Sequence, residues 1–158
     1  MLFRFSQKGL TDEKKKEIKN LWRFVQTNPA KSLAVKVLLH RPLPYWASKK
    51  QKDYYLSESY PNRDYYQTRW SGKYRSFFVH GFYDKEWKEL YRKHSITDII
   101  TLKIGVRTEP ADIIHLMAHE WKHYLQYRNG KPKKGTRKEL QAEKYAKKVK
   151  VKYLLSVA

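Results

Sequence analysis

The 158-residue sequence contains no cysteine. A chain without thiols has no disulfide framework, no cysteine-ligated zinc or iron–sulfur centre and no thiol nucleophile. Any metal ion must therefore be held by histidine and carboxylate side chains. The absence of cysteine also fits a reducing compartment, where disulfides are rare.

Long apolar runs are missing as well. No stretch approaches the roughly 20 residues that a membrane-spanning helix needs. The N-terminal residues lack the apolar core and small-residue cleavage site of a secretory signal. No serine- or glycine-rich linker and no internal repeat divides the chain. We therefore predict a cytoplasmic protein with no membrane contact, folded as one domain over residues 1–158.

Acidic residues are scarce, since 15 Asp and Glu stand against 35 Lys and Arg and leave a net charge of +20. With 41% hydrophobic residues the chain is nevertheless too rich in core-forming side chains to be disordered. The charge predicts an anionic partner such as nucleic acid or another polyanion. A solvated helix face is the equally weighted alternative for the densest cluster, whose basic residues are Lys131, Lys133, Lys134, Arg137, Lys138, Lys144, Lys147, Lys148, Lys150 and Lys152.

Hydrophobic periodicity predicts a mixture of helices and strands. We expect an α+β fold with a small, twisted, mostly antiparallel sheet. The strand near residue 100 alternates apolar and polar side chains, which is typical of a half-buried or edge strand. Asn129-Gly130 is a strong helix stop. The predicted strands cover residues 33–39, 72–82 and 99–104, and the predicted helices cover residues 12–27, 84–92, 108–128 and 136–155.

The third of these helices contains the pattern His-Glu-x-x-His, formed by His119, Glu120 and His123. Histidines at positions i and i+4 share one helix face, so both imidazoles can reach one ion. The intervening Glu120 is offset to meet a water molecule on that ion. Zinc is the predicted metal, because neutral imidazole suits it and a catalytic zinc has three protein ligands plus water.

No histidine follows His123, so the third ligand must be something else. Gln126 and Asn129 stand where an extended HExxHxxGxxH motif has its glycine and its third histidine, which excludes that class of zinc peptidase. The only acidic residues after His123 are Glu139 and Glu143, which share one face of the last predicted helix. One of them can bind the metal while the other accepts the outer N–H of a ligand histidine.

At these residues the chain resembles the gluzincin metallopeptidases, zincins whose third ligand is a glutamate and many of which carry Glu-x-x-Ala-Asp on the helix after HExxH. The resemblance implies zinc bound by His119, His123 and Glu139. It implies Glu120 as the general base that takes a proton from the zinc-bound water. It also implies that Glu143 contacts a ligand histidine and does not bind the ion itself.

The match departs from the family pattern where Glu143 replaces the usual aspartate. The longer side chain leaves open a register in which Glu143 is the third ligand, at the interval of 20 residues after His123 that thermolysin-type motifs use. Glu139 is favoured because the small residues Ala142 and Ala146 then fall where the motif has them.

The resemblance covers residues 97–155 and implies a minimal, single-domain zincin with an active-site helix followed by a C-terminal ligand helix. In such enzymes the strand before the motif helix, here residues 99–106, lines the cleft and pairs with extended substrate. The expected function is zinc-dependent hydrolysis of peptide or protein substrates. The residue that steadies the oxyanion is left open, with Tyr145 as one candidate. The alternative is a basic nucleic-acid-binding protein in which the metal motif is vestigial or structural.

Overall fold

The computed structural model describes residues 2–5, 10–39, 49–50, 75–80, 89, 92–105 and 108–158. The helix predicted over residues 84–92 lies largely outside this part of the chain. Across these ranges no helix combines the length and the apolar character needed to cross a membrane. The elements are β1 (Leu2–Phe5), α1 (Asp12–Val25), β2 (Leu33–Leu39), β3 (Arg75–His80), β4 (Asp98–Ile104), α2 (Pro110–Asn129) and α3 (Gly135–Ser156).

The four strands form one sheet in the order β1–β2–β4–β3. β1 pairs with β2 in parallel, β2 pairs with β4 in parallel, and β3 pairs antiparallel with the other side of β4. The prediction of a mostly antiparallel sheet is therefore wrong. The reason is α1, which carries the chain back across the sheet after β1 so that β2 starts at the same end, as parallel pairing requires. β1 has only four residues, too few for its periodicity to identify it as a strand.

The strand before the motif helix, β4, is also more buried than predicted. All seven residues of β4 are buried, including the polar Thr101 and Lys103, whose alternation with apolar residues suggested a half-buried or edge strand. β4 pairs with β2 along one side and with β3 along the other. β4 therefore has no free edge, so the expectation that this strand pairs with substrate is wrong for residues 99–104; Val106, the end of the range predicted to do so, lies outside the described residues. In the described part of the sheet, β3 is the outer strand on the side of β4 that faces away from β2.

The core lies between the sheet and the inner faces of α1 and α2. Thr11 caps α1, its side chain accepting the Lys14 backbone N–H at 3.1 Å. The apolar stripe of α1 is buried, and its Trp22 meets Trp121 of α2 edge to face, with ring centroids 5.7 Å apart. Trp121 is fully buried. Since it lies between the two motif histidines in sequence, its burial fixes the rotation of α2 and turns them away from the core.

α2 and α3 form an antiparallel helical hairpin. α2 ends at Gly130, whose left-handed φ of 68° is the conformation glycine adopts easily after a helix, as the Asn-Gly stop predicts. α3 packs back on α2 through the fully buried Ala142 and Ala146. These methyl groups allow close approach of the two backbones. The glutamates Glu139 and Glu143 are thereby held opposite the histidines of α2.

Enlarging one of these alanines should separate the helices. Ala146→Leu is expected to destabilise the protein by about 1–3 kcal/mol, the usual cost of overpacking a filled interface. The matched control is Lys147→Leu, which introduces the same side chain at an exposed neighbour and should change stability by no more than about 0.5 kcal/mol. Urea unfolding followed by circular dichroism measures both. Equal stability of the two variants would contradict close packing at Ala146.

Candidate metal centre

Two imidazole nitrogens and one carboxylate converge between α2 and α3. The Nε2 atoms of His119 and His123 lie 3.1 Å apart. The two oxygens of Glu139 reach them separately, with Oε2 3.2 Å from Nε2 of His119 and Oε1 2.9 Å from Nε2 of His123. Within the described residues these three side chains form the group whose ligand atoms could hold a metal ion.

The outer nitrogen of each histidine has an acceptor of its own. Nδ1 of His119 lies 3.1 Å from Oε2 of Glu143, and Nδ1 of His123 lies 2.8 Å from Oε1 of Gln126. The amide of Gln126 is oriented by its NH₂ group, which donates to the Lys138 carbonyl at 3.0 Å. Its oxygen therefore faces His123. Both imidazoles donate from Nδ1, which leaves the Nε2 lone pairs directed at the shared point.

Two imidazole lone pairs and a carboxylate that face one another need either a proton or a metal cation between them. Zinc fits the arrangement in donor type, since neutral imidazole and carboxylate are its usual ligands when thiolate is absent. It also fits in spacing. Ligands of a tetrahedral zinc about 2.0–2.1 Å away lie about 3.3 Å from each other, close to the distances between His119, His123 and Glu139. These residues can therefore hold the ion; that they do so stays a prediction.

The centre opens toward solvent on the α3 side. The side chains of His119 and His123 are only 17% and 15% exposed, whereas that of Glu139 is 65% exposed. Glu143 is 41% exposed and lies between two imidazoles. Burial raises the pKa of the Glu143 carboxyl, but electrostatic interaction and hydrogen bonding with the neighbouring His115 and His119 lower that pKa by more, so that it lies below its usual value. Glu143 is thus held as a carboxylate, the form that accepts an N–H from a ligand histidine.

The remaining predicted residues lie on the same hairpin. Glu120 is 4% exposed and, as a buried carboxylate, makes further contacts within the fold. Tyr145 lies two positions beyond Glu143, about 200° further around the helix. It packs against the core, the Lys122 ammonium lies 5.4 Å from its ring centroid, and burial raises its pKa. These contacts give no support to Tyr145 as the residue that steadies an oxyanion.

Two residues that contact the centre, Gln126 and His115, are not among the predicted site residues. In the sequence Gln126 stands out only as the residue replacing a motif glycine, yet it is 3% exposed and accepts from His123. The sequence feature that could have identified Gln126 is its i+3 spacing from His123, which places both residues on one side of the helix. His115 has the same kind of signal, one turn before His119. Its partner Glu143 could not be predicted, because that contact depends on the register of α3 against α2.

Glu139 and Glu143 can be distinguished by truncation. Glu143→Ala is expected to weaken zinc binding by about 10–100-fold, the usual cost of losing a residue that orients a ligand. Glu139→Ala should weaken it by more, because it removes a ligand atom. Competition against a chromophoric chelator measures both affinities. The reverse order would assign the third ligand to Glu143.

No protein-family model matches the chain, and comparisons with curated proteins and with solved structures found no match either. The likeness to gluzincins therefore rests on the motif residues alone, HExxH on α2 and ExxAE on α3.

Proposed function

We propose that this protein is a zinc-dependent metallopeptidase that hydrolyses peptide bonds in peptide or protein substrates. One observation carries the proposal. The Nε2 atoms of His119 and His123 and the carboxylate of Glu139 converge within 3.2 Å of one another, while both outer imidazole nitrogens donate to acceptors. The motif supplies Glu120 between the two histidines, and the gluzincin likeness supplies the reaction class.

The roles of the residues follow from their chemistry. His119, His123 and Glu139 would bind the ion, while Glu143 and Gln126 orient the two imidazoles. When bound, zinc acts as a Lewis acid and lowers the pKa of water toward about 7. The role of Glu120 would be to accept a proton from the attacking water and later to donate it to the leaving amine, the two halves of general base and general acid catalysis. The exposed side of Glu139 leaves room for substrate to approach.

The topology of the sheet supports a proposal for where substrate binds. An extended peptide can add to a sheet only at a free edge, and β4 has none. The outer strand beside it in the described part of the chain is β3, which α2 also packs against. We therefore propose that substrate lies along β3.

The decisive experiment measures zinc and hydrolysis in one preparation. Elemental analysis of the purified protein should find about one zinc per chain, with three protein ligands and water completing the site. Hydrolysis of a mixed peptide library, followed by mass spectrometry, should stop on addition of 1,10-phenanthroline and return on adding zinc. Absence of stoichiometric zinc, or cleavage that persists in the chelator, would refute the proposal.

Binding of DNA or RNA is a second candidate function, and the surface of the α2–α3 hairpin favours it. Residues 131–152 carry ten basic and two acidic residues, and both acidic residues, Glu139 and Glu143, contact histidines. Within residues 131–152, no carboxylate is therefore left to neutralise the basic side chains that face away from the histidines. The exposed cations there are Lys131, Lys133, Lys134, Arg137, Lys144, Lys147, Lys148 and Lys152.

Salt dependence tests this second function. We expect metal-independent binding to a DNA duplex that weakens steeply with salt. Neutralising Lys144, Lys147 and Lys148 to glutamine should lower the slope of log K against log salt by about 3, one for each phosphate that the variant no longer neutralises. The matched control neutralises Lys16, Lys19 and Arg23, exposed cations of α1. Binding that is insensitive to ionic strength would remove nucleic acid as a partner.

A further inference from the structure

His115 lies one helical turn before His119 on α2 and joins the same hydrogen-bonding chain. Its Nε2 atom is 3.0 Å from Oε1 of Glu143. The other oxygen of that carboxylate, Oε2, is 3.1 Å from Nδ1 of His119. Glu143 therefore bridges two imidazoles, one with each oxygen. The metal group itself, His119, His123 and Glu139, does not include His115.

We propose that His115 is a positioning residue for the metal centre, which acts by holding Glu143 in the orientation that fixes the ring and tautomer of His119. This inference rests on the proposed zinc site. For His119 to bind zinc through Nε2 it must keep its proton on Nδ1, and Oε2 of Glu143 is the acceptor that keeps it there. The further bond from His115 sets where that acceptor lies.

The need for a second contact follows from the glutamate itself. The side chain of Glu143 is 41% exposed, and a glutamate has several rotatable bonds and a large rotamer entropy. One hydrogen bond to His119 leaves its other oxygen free to turn toward water. The bond from His115 removes that freedom. An aspartate, the usual residue at this position of the gluzincin motif, is shorter and has fewer rotamers. The glutamate of this chain has more rotamer freedom to lose, so a second contact matters more for holding it in place.

The surroundings of His115 point to the same role. Its side chain is 23% exposed, and its Nδ1 atom is buried without a hydrogen-bond partner in the described part of the chain. The contact with Glu143 is therefore the one hydrogen bond in that part which accounts for the orientation of this ring. A histidine placed only for solvation would have both nitrogens open to water.

The test compares His115→Leu with His115→Gln in the full chain. Leucine cannot donate, whereas the glutamine amide can donate to Oε1 of Glu143. We expect His115→Leu to weaken zinc binding by about 10–100-fold and to alter the ligand-field spectrum of the cobalt(II)-substituted protein. His115→Gln should recover most of the affinity. The control His94→Leu, at an exposed turn position, should bind zinc like the unaltered protein.

A double-mutant cycle separates positioning from a structural effect. In a Glu143→Ala background, His115→Leu should cause little further loss of zinc affinity, because both changes break the same chain. Thermal melting of the zinc-free variants reports any loss of fold. Full zinc affinity in His115→Leu, equal losses in the leucine and glutamine variants, or additive losses in the cycle would each overturn this inference alone. An unaltered protein that binds no zinc would overturn the metallopeptidase proposal as well.

Discussion

Replacing Glu120 by glutamine is expected to lower the rate of peptide hydrolysis by about 10²–10⁴-fold, the contribution of a positioned general base. The amide has nearly the same shape as the carboxylate but cannot accept a proton from water. Zinc content should stay at the unaltered level, since Glu120 is not a ligand. Rates on a fluorogenic peptide and elemental analysis of the same samples measure both quantities.

The control for this substitution is Glu109→Gln, at the exposed residue that precedes α2. It makes the same chemical change just before the same helix and should leave the rate unaltered. Because Glu120 is buried and makes other contacts, melting temperature is recorded alongside. A Glu120→Gln variant that is folded, zinc-loaded and fully active would exclude the assigned role.

Removal of a ligand histidine should have the largest effect on the metal. Structural zinc sites with four protein ligands supply about 10–16 kcal/mol of binding free energy, about a quarter of it for each ligand. Loss of one of the three protein ligands proposed here is therefore expected to cost about 10²–10³-fold in affinity. His123→Ala also leaves the oxygen of buried Gln126 without its donor. The affinity is measured by chelator competition, with His94→Ala as the exposed control.

The same variant should lose the stability that zinc confers. At a free zinc concentration of about 1,000 times Kd, a ligand that binds only the folded state stabilises it by about 4 kcal/mol. The unaltered protein should therefore melt at a higher temperature with zinc than with a chelator. In His123→Ala the difference should be much smaller, because a site weakened about 10²–10³-fold leaves only about 0.4–1.4 kcal/mol of stabilisation at the same zinc concentration. A zinc-dependent shift of equal size in both proteins would show that the ion binds elsewhere.

The sequence predicts the local elements well, because their signals are local. The apolar spacing of α1, the Thr11 cap, the β-branched run of β2 and the Gly130 stop each depend on neighbouring residues alone. The order of the strands depends on contacts between distant residues. The buried Thr101 and Lys103 of β4 illustrate the difference, because their polarity indicates a solvated face until both neighbouring strands are known.

The candidate site likewise has one part that local sequence predicts and another that depends on contacts between distant residues. His119, Glu120 and His123 are set by helical spacing, which can be read directly along the chain. The partners of the outer nitrogens are set by where α3 lies against α2, and that depends on packing at the helix contact. The i, i+4 spacing of Glu139 and Glu143 predicts that they share a face but leaves open which of them meets Nε2. The distances favour Glu139.

The helical hairpin also has a kinetic consequence. Its metal-facing side chains come from a short segment: His123 and Glu139 are 16 residues apart, whereas Leu33 and Asp98, paired in the sheet, are 65 apart. Closing a short loop costs less conformational entropy than closing a long one, and contacts of low sequence separation form sooner. Zinc bound by these residues would therefore be able to crosslink α2 and α3 during folding, before the sheet is complete.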